Sequence, residues 1–135
     1  MKSYFLDSSI IVECIRGNRL IQELVINLKG YTSSSYVCLS ELFEGVYRGE
    51  NKQEREKELI NFFEGLDEVY GLDEDVAKKF GKIRAGLKTG GNVIEDIDIF
   101  IAAICLSKNL TLITLNEKHF SRVSGLKILP AQLLR

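Results

Sequence analysis

Short β-rich runs alternate with helical segments from one end of this 135-residue chain to the other, and no other feature narrows its fold as much. Residues 3–6 (Ser-Tyr-Phe-Leu) form a strand that Asp7 ends, and residues 8–16 carry apolar side chains at helical spacing before a stop at Gly17 and Asn18. The pattern then predicts a helix over 19–29 halted by Gly30, a strand over 31–37 and a helix over 39–47. Residues 51–63 read as a charged amphipathic helix ended at Gly65, and 68–72 as a brief strand. Asp73 is placed to cap a helix over 74–88 that runs into Thr-Gly-Gly. A helix over 96–108 follows, with Ile97, Ile101, Ala102, Ile104 and Cys105 on an apolar face, then a buried strand over 110–114. A loop carrying Phe120, Val123 and Gly125 leads to a last strand over 126–129.

Strands that take turns with helices need crossover connections, and crossovers make a parallel sheet covered on both faces. The expected fold is α/β, a three-layer α/β/α sandwich with the first strand near its middle. No internal repeat or boundary divides it, so residues 1–135 are expected to form a single domain. A chain of this size hides roughly two-thirds of its unfolded surface, enough for one core.

Composition removes several classes of function. The chain is 45% hydrophobic and 27% charged with one Pro, the balance of a folded protein rather than a disordered one. No apolar run approaches the roughly 20 residues of a membrane helix, and the N-terminus meets a carboxylate too early for a signal peptide. The expectation is a cytoplasmic protein with no membrane partner. Cys14, Cys38 and Cys105 are odd in number, far apart and set among apolar neighbours, which suits core packing in a reducing compartment better than disulfides or zinc. His119 is the sole histidine, expected as a surface or half-buried side chain in a loop, and it leaves no material for a multi-histidine metal site. A net charge of −1 denies the chain a bulk attraction to nucleic acid, so any such reading must rest on a local site.

The carboxylates supply that site. In open parallel sheets ligands bind at the carboxyl ends of strands, which is where Asp7 falls, although an Asp before Ser-Ser-Ile-Ile would also cap a helix. Glu41 is expected to start the helix after the second strand, where it could serve the helix dipole as well as a site, and Glu44 one turn on is its rival. Of the acids at the start of the 96–108 helix, Asp98 is in line with Ile101, Ala102 and Cys105, whereas Asp96 lies about 200° away and is assigned as the cap. A carboxylate on an apolar face is costly unless a cation compensates it, and pooled carboxylates either hold a proton or bind a hard, oxygen-seeking ion such as magnesium or manganese.

Four stretches, in order, carry a resemblance: Tyr-Phe-Leu-Asp7-Ser-Ser-Ile-Ile, Ser40-Glu41-Leu-Phe-Glu-Gly45, Asp98-Ile-Phe-Ile-Ala-Ala103, and Leu-Ile-Thr114-Leu-Asn116-Glu-Lys-His-Phe120. Together they resemble the PIN domains, and among those the VapC-type toxins of toxin-antitoxin pairs. The resemblance implies a five-stranded parallel sheet and an endoribonuclease that hydrolyses RNA phosphodiesters with a metal-activated water. It further implies that Asp7, Glu41 and Asp98 ligate Mg2+ or Mn2+, that Asn116 acts beside them, and that the chain forms a homodimer and binds an antitoxin protein. Many PIN domains have Asp where this chain has Asn116, which removes one charge and puts a second metal in question. Ser8, Ser9 and Thr114 are candidates to hydrogen-bond the carboxylates.

Other readings remain. A haloacid-dehalogenase-like phosphatase would need a second Asp where Ser9 stands, and a phosphoacceptor receiver would need a Lys after its last strand, where the chain has Pro130. A non-catalytic module or a DNA-directed nuclease of the same fold is the closer alternative. Arg16, Arg48, Arg84 and Lys88 are available for RNA without any being singled out. Phe43, Val46, Tyr47, Phe62 and Phe63 are expected to contribute to a dimer face. The acidic cluster is also expected to accept a basic side chain, Arg above all, from an inhibiting partner.

Overall fold

The computed structural model describes residues 2–89 and 94–131, the side chains of 88 and 89 excepted. Its elements run β1 (Lys2–Leu6), α1 (Ser8–Arg16), α2 (Arg19–Ile26), β2 (Gly30–Ser35), α3 (Tyr36–Arg48), α4 (Lys52–Glu64), β3 (Glu68–Tyr70), α5 (Glu74–Thr89), α6 (Asp96–Lys108), β4 (Thr111–Thr114), α7 (Glu117–Phe120) and β5 (Lys127–Pro130). The five strands are parallel in the order β3-β2-β1-β4-β5, with helices flanking the sheet. β1 lies at the centre, as its early place in the chain implied.

The strand order reverses between β1 and β4, and there the connections leave in opposite directions and open a crevice at the carboxyl ends. Phe5, Leu6, Leu112 and Ile113 of these two strands are fully buried, so the floor of that crevice is rigid. β2 is unusual in burying Ser33, Ser34 and Ser35. Their hydroxyls are satisfied locally: Ser33 Oγ donates to the Tyr4 carbonyl at 2.8 Å, and Ser34 Oγ to the Leu6 carbonyl at 2.9 Å.

Ser35 explains the largest difference from the expected elements. Its Oγ accepts from Cys38 N at 3.2 Å and caps α3, so Tyr36 and Val37 fold into the helix despite their β propensity. Glu41 is therefore in the second turn of α3 rather than at its start. α2 ends at Ile26 rather than running to residue 29, and the expected loop before the last strand contains α7. The Gly-Gly stop expected after Thr89 lies outside the described residues.

α6 is buried almost all round, through Ile99, Ile101, Ala102, Ala103, Ile104 and Cys105, while Ile97 is at the surface. Each Ile or Leu buried in this way stabilises the fold by about 1.5–3 kcal/mol. The three cysteines are free and buried, as core packing requires. No helix among the described residues is long and apolar enough to cross a membrane.

Candidate active site

Asp7 occupies the crevice at the point where β1 becomes α1. Its backbone N–H donates to Ile113 O of β4 at 3.1 Å, and its carbonyl accepts from Ile10 and Ile11 of the first helical turn. The side chain is only 4% exposed. Asp7 Oδ1 accepts from Ser8 N at 2.7 Å, which makes Asp7 the N-cap of α1, and Oδ2 accepts from Ser9 Oγ at 3.1 Å and Thr114 Oγ1 at 2.7 Å. Capping and a place in the site are therefore compatible for this residue.

Ser8 ties Asp7 to Glu41. Its hydroxyl stands 2.9 Å from Glu41 Oε1 and 3.4 Å from Asp7 Oδ1. One hydroxyl has one proton, and the shorter contact takes it. Asp7 Oδ2 is thus filled by two donors while Oδ1 keeps a lone pair beside Glu41. Glu44, the rival of Glu41, points elsewhere and pairs with Arg48 at 2.8 Å on the surface.

Asp98 emerges from the buried face of α6 with its side chain 20% exposed. Burial is the largest cause raising its carboxyl above the ordinary range. Asp7 and Glu95 push in the same direction, against His119. Glu41 is raised too, again first by burial, with Asp7, Asp98 and Glu95 adding repulsion against the Ser8 hydrogen bond. Four acids thus share one electrostatic neighbourhood. Among the described residues no three Asp, Glu, His or Cys side chains form a ready-made ion cage. A hard cation that takes one or two carboxylates and retains its waters does not need one, and the lone pair on Asp7 and the repulsion felt by Glu41 and Asp98 fit such an ion.

Asn116 closes the crevice from the β4 side. Its N–H donates to Thr114 Oγ1 at 2.9 Å, and Leu115 N donates to Ser9 Oγ at 3.2 Å. Beside it lies a groove of about 1020 Å³ between α1, α3 and α4, whose walls include Ser8, Glu41, Asn116 and Arg16.

Two assignments change. Asp96 does not cap α6: Glu95 occupies the N-cap position without a side-chain hydrogen bond, and Asp96 instead pairs with Arg84, whose guanidinium lies over the Phe80 ring. Arg84 and Arg48 are both engaged by acids, and the Lys88 side chain lies outside the described residues. His119 is on α7 rather than in a loop, with Nδ1 3.2 Å from Asp98 Oδ2. It and Glu95 are the site neighbours that sequence reasoning missed. Their spacing held the signal, since Glu95 is three residues before Asp98 and His119 three after Asn116, one helical turn in each case. Of the expected dimer face, Phe63 belongs to the core and Phe43, Val46 and Phe62 pack half-buried against it, which leaves Tyr47 exposed.

Comparison with known proteins agrees with this architecture. The PIN domain family model matches residues 4–126. Ribonuclease VapC1 of Methanocaldococcus jannaschii is 36% identical over 124 residues, covering 90% of this chain and 83% of that protein. The tRNA(fMet)-specific endonuclease VapC of Shigella flexneri is 30% identical over 128 residues, covering 94% and 96% respectively. Among solved structures, VapBC2 from Rickettsia felis bound to a DNA fragment from its promoter superimposes with a TM-score of 0.89 at 26% identity, covering 96% of this chain and 98% of the matched one. VapBC-1 from nontypeable Haemophilus influenzae gives 0.85 at 28%, covering 95% and 97%. With the fold, the crevice and the full-length similarity in agreement, the chain belongs to the PIN-domain family and, within it, to the VapC ribonucleases.

Proposed function

We propose that this protein is the toxin of a toxin-antitoxin pair, a single nuclease domain over residues 1–135 that hydrolyses RNA in the cytoplasm with Mg2+ or Mn2+. The observation that carries this reading is the crevice at the strand-order reversal, where the Ser8 hydroxyl stands between buried Asp7 and Glu41 and Asp98 adds its charge from α6. Acids of like charge brought into one partly desolvated neighbourhood suit a site that receives a cation.

Asp7, Glu41 and Asp98 would hold the ion, with Asn116 presenting an amide oxygen at the groove side. A divalent cation in that position supplies a Lewis acid that acidifies water and neutralises charge developing on a phosphodiester. The chain's own groups do the rest. Thr114 and Ser9 fix Asp7, Ser8 fixes Glu41, and the buried strands beneath prevent the carboxylates from relaxing apart. The groove beside Glu41 and Asn116 gives a single strand room to approach, with Arg16 on its wall.

The Rickettsia and Haemophilus relatives are VapBC complexes, which supports an antitoxin partner here. An Arg from that partner, laid among the acids, would occupy the place of the cation and inhibit the enzyme. A homodimer is part of the same reading, with exposed Leu20, Ile26 and Tyr47 as apolar surface for it. The test is a cleavage assay on single-stranded or loop RNA. Purified protein should cut it with magnesium or manganese present and stop in EDTA; cleavage that persists in EDTA overturns the reading.

A further inference from the structure

His119 is the only histidine of the chain, and its ring is 56% exposed, yet it is not loosely held. α7 is a single turn rooted by Phe120, which is 1% exposed, and His119 N donates to Asn116 O at 3.0 Å. Asn116 N in turn donates to Thr114 Oγ1, and Thr114 Oγ1 to Asp7 Oδ2. From His119 the path continues to Asp98, with Nδ1 3.2 Å from Oδ2. A circuit therefore runs from Asp7 through Thr114, Asn116 and His119 to Asp98, across β4, α7 and α6. It joins two acids that lie 91 residues apart in sequence.

With Asp98 ionised its oxygens only accept, so a hydrogen bond across this contact places the proton on Nδ1 whether the ring is neutral or charged. One oxygen of Asp98 is then engaged, and rotation of the carboxyl about its Cβ–Cγ bond is restricted. Among the described residues, His119 is the side chain that contacts Asp98. Without His119, repulsion from Asp7 and Glu95 would favour turning the group away from the crevice.

We propose that His119 is a positioning residue for Asp98: its Nδ1 holds Oδ2 and leaves the other oxygen of the carboxylate for the cation. The inference rests on the metal-dependent reading of the site. It differs from a passive surface ion pair, whose loss would leave Mn2+ affinity unchanged.

The test is calorimetric titration of Mn2+ into the purified full chain for wild type, His119→Ala, His119→Gln and His119→Asn, with thermal midpoints and RNA cleavage measured alongside. The Asn amide nitrogen takes the place of Nδ1, whereas the Gln amide reaches the place of Nε2. His119→Ala and His119→Gln should therefore bind Mn2+ about 10- to 100-fold more weakly, the usual scale for losing a partner of a metal ligand. His119→Asn should stay near wild type, all four thermal midpoints should agree, and cleavage by His119→Ala should recover at high Mn2+. Equal affinity in wild type and His119→Ala overturns this inference alone. So does rescue by Gln but not by Asn, which would transfer the contact to Nε2. A wild-type protein that binds no divalent cation overturns the reading beneath it as well.

Discussion

Thr114 Oγ1 donates to Asp7 Oδ2 at 2.7 Å across the two central strands, joining the ends of β1 and β4 at the reversal of strand order. Both residues are buried, and the same hydroxyl accepts from Asn116 N, so one side chain sets the positions of an acid and of the amide beside it. Thr114→Val keeps the shape and removes both bonds. It should destabilise the protein by about 1–3 kcal/mol, the cost of leaving buried polar groups unpaired, and lower cleavage at least about tenfold. Thr114→Ser should restore both. Urea unfolding and RNA cleavage on the three proteins check this.

The acids themselves should separate cleanly by mutation. Asp7→Asn, Glu41→Gln and Asp98→Asn should each lower cleavage on the order of 10²-fold or more while the protein stays folded, because a preorganised electrostatic group is lost and a repulsion relieved. Glu44→Gln should leave activity unchanged, since Glu44 is engaged with Arg48 on the surface. Asp96→Asn should also leave it unchanged and cost at most about 1 kcal/mol through the Arg84 pair. Asn116→Asp should maintain or raise activity. Steady-state cleavage of one labelled RNA by the six variants decides these points.

Glu41 and Asp98 also predict how the metal-free protein responds to pH. Their carboxyls are raised above ordinary values of 4.5 and 3.8, so between those values and the folded ones the native state binds more protons than the unfolded chain. Stability from these groups is therefore present at the acid end of that window and lost as pH rises through the folded values. Asp73 and Asp75 act oppositely. Hydrogen bonds from Lys108 and Ser107 hold them below 3.8, and their contribution is lost only as pH falls beneath that value. Thermal midpoints in EDTA should therefore decline from the ordinary carboxylate range toward neutrality, and the double variant Glu41→Gln, Asp98→Asn should flatten the decline. Added Mg2+ should raise the midpoint most at the higher pH, where its ligands are ionised. A wild-type profile as flat as that of the double variant would contradict the shared neighbourhood of the acids.

Gly30 opens β2 directly against Lys2 of β1. A Cβ there would run into the Lys2 carbonyl oxygen and meet the Tyr4 ring at 3.1 Å. Gly30→Ala should therefore destabilise the sheet by about 1–3 kcal/mol, the usual cost of overpacking, whereas Gly45→Ala, with open space around its Cα, should not. Chemical denaturation of the two variants is sufficient to tell.

The fold was largely legible because its periodicities are strong. The apolar run and acidic start of 96–108 mark α6, and a short β-rich stretch cut off by Asp7 marks β1. A local hydrogen bond overrides propensity where Ser35 draws Tyr36 and Val37 into α3, and α7, a single turn, is too short to leave a periodic trace. Of the proposed site, Asp7, Glu41 and Asp98 stand out by position and motif. The Thr114 and Ser8 bridges were legible only as candidates, since which oxygen a hydroxyl reaches depends on strand register and helix phase. His119 is hard to find because it meets Asp98 only through the packing of α7 against α6, whereas Glu95, one turn before Asp98, reads equally well as an ordinary acidic residue at a helix start.

The most direct measurement of the central claim is the chemistry of the cut ends. RNA cleaved by the wild-type protein with Mg2+ should carry a 5'-phosphate and a 3'-hydroxyl, because water that attacks phosphorus expels the 3' oxygen. Asp98→Asn should yield little of either. A 2',3'-cyclic phosphate would show that the RNA's own 2'-hydroxyl is the nucleophile, and undiminished cleavage by Asp98→Asn would show that the acidic crevice is not where the reaction occurs.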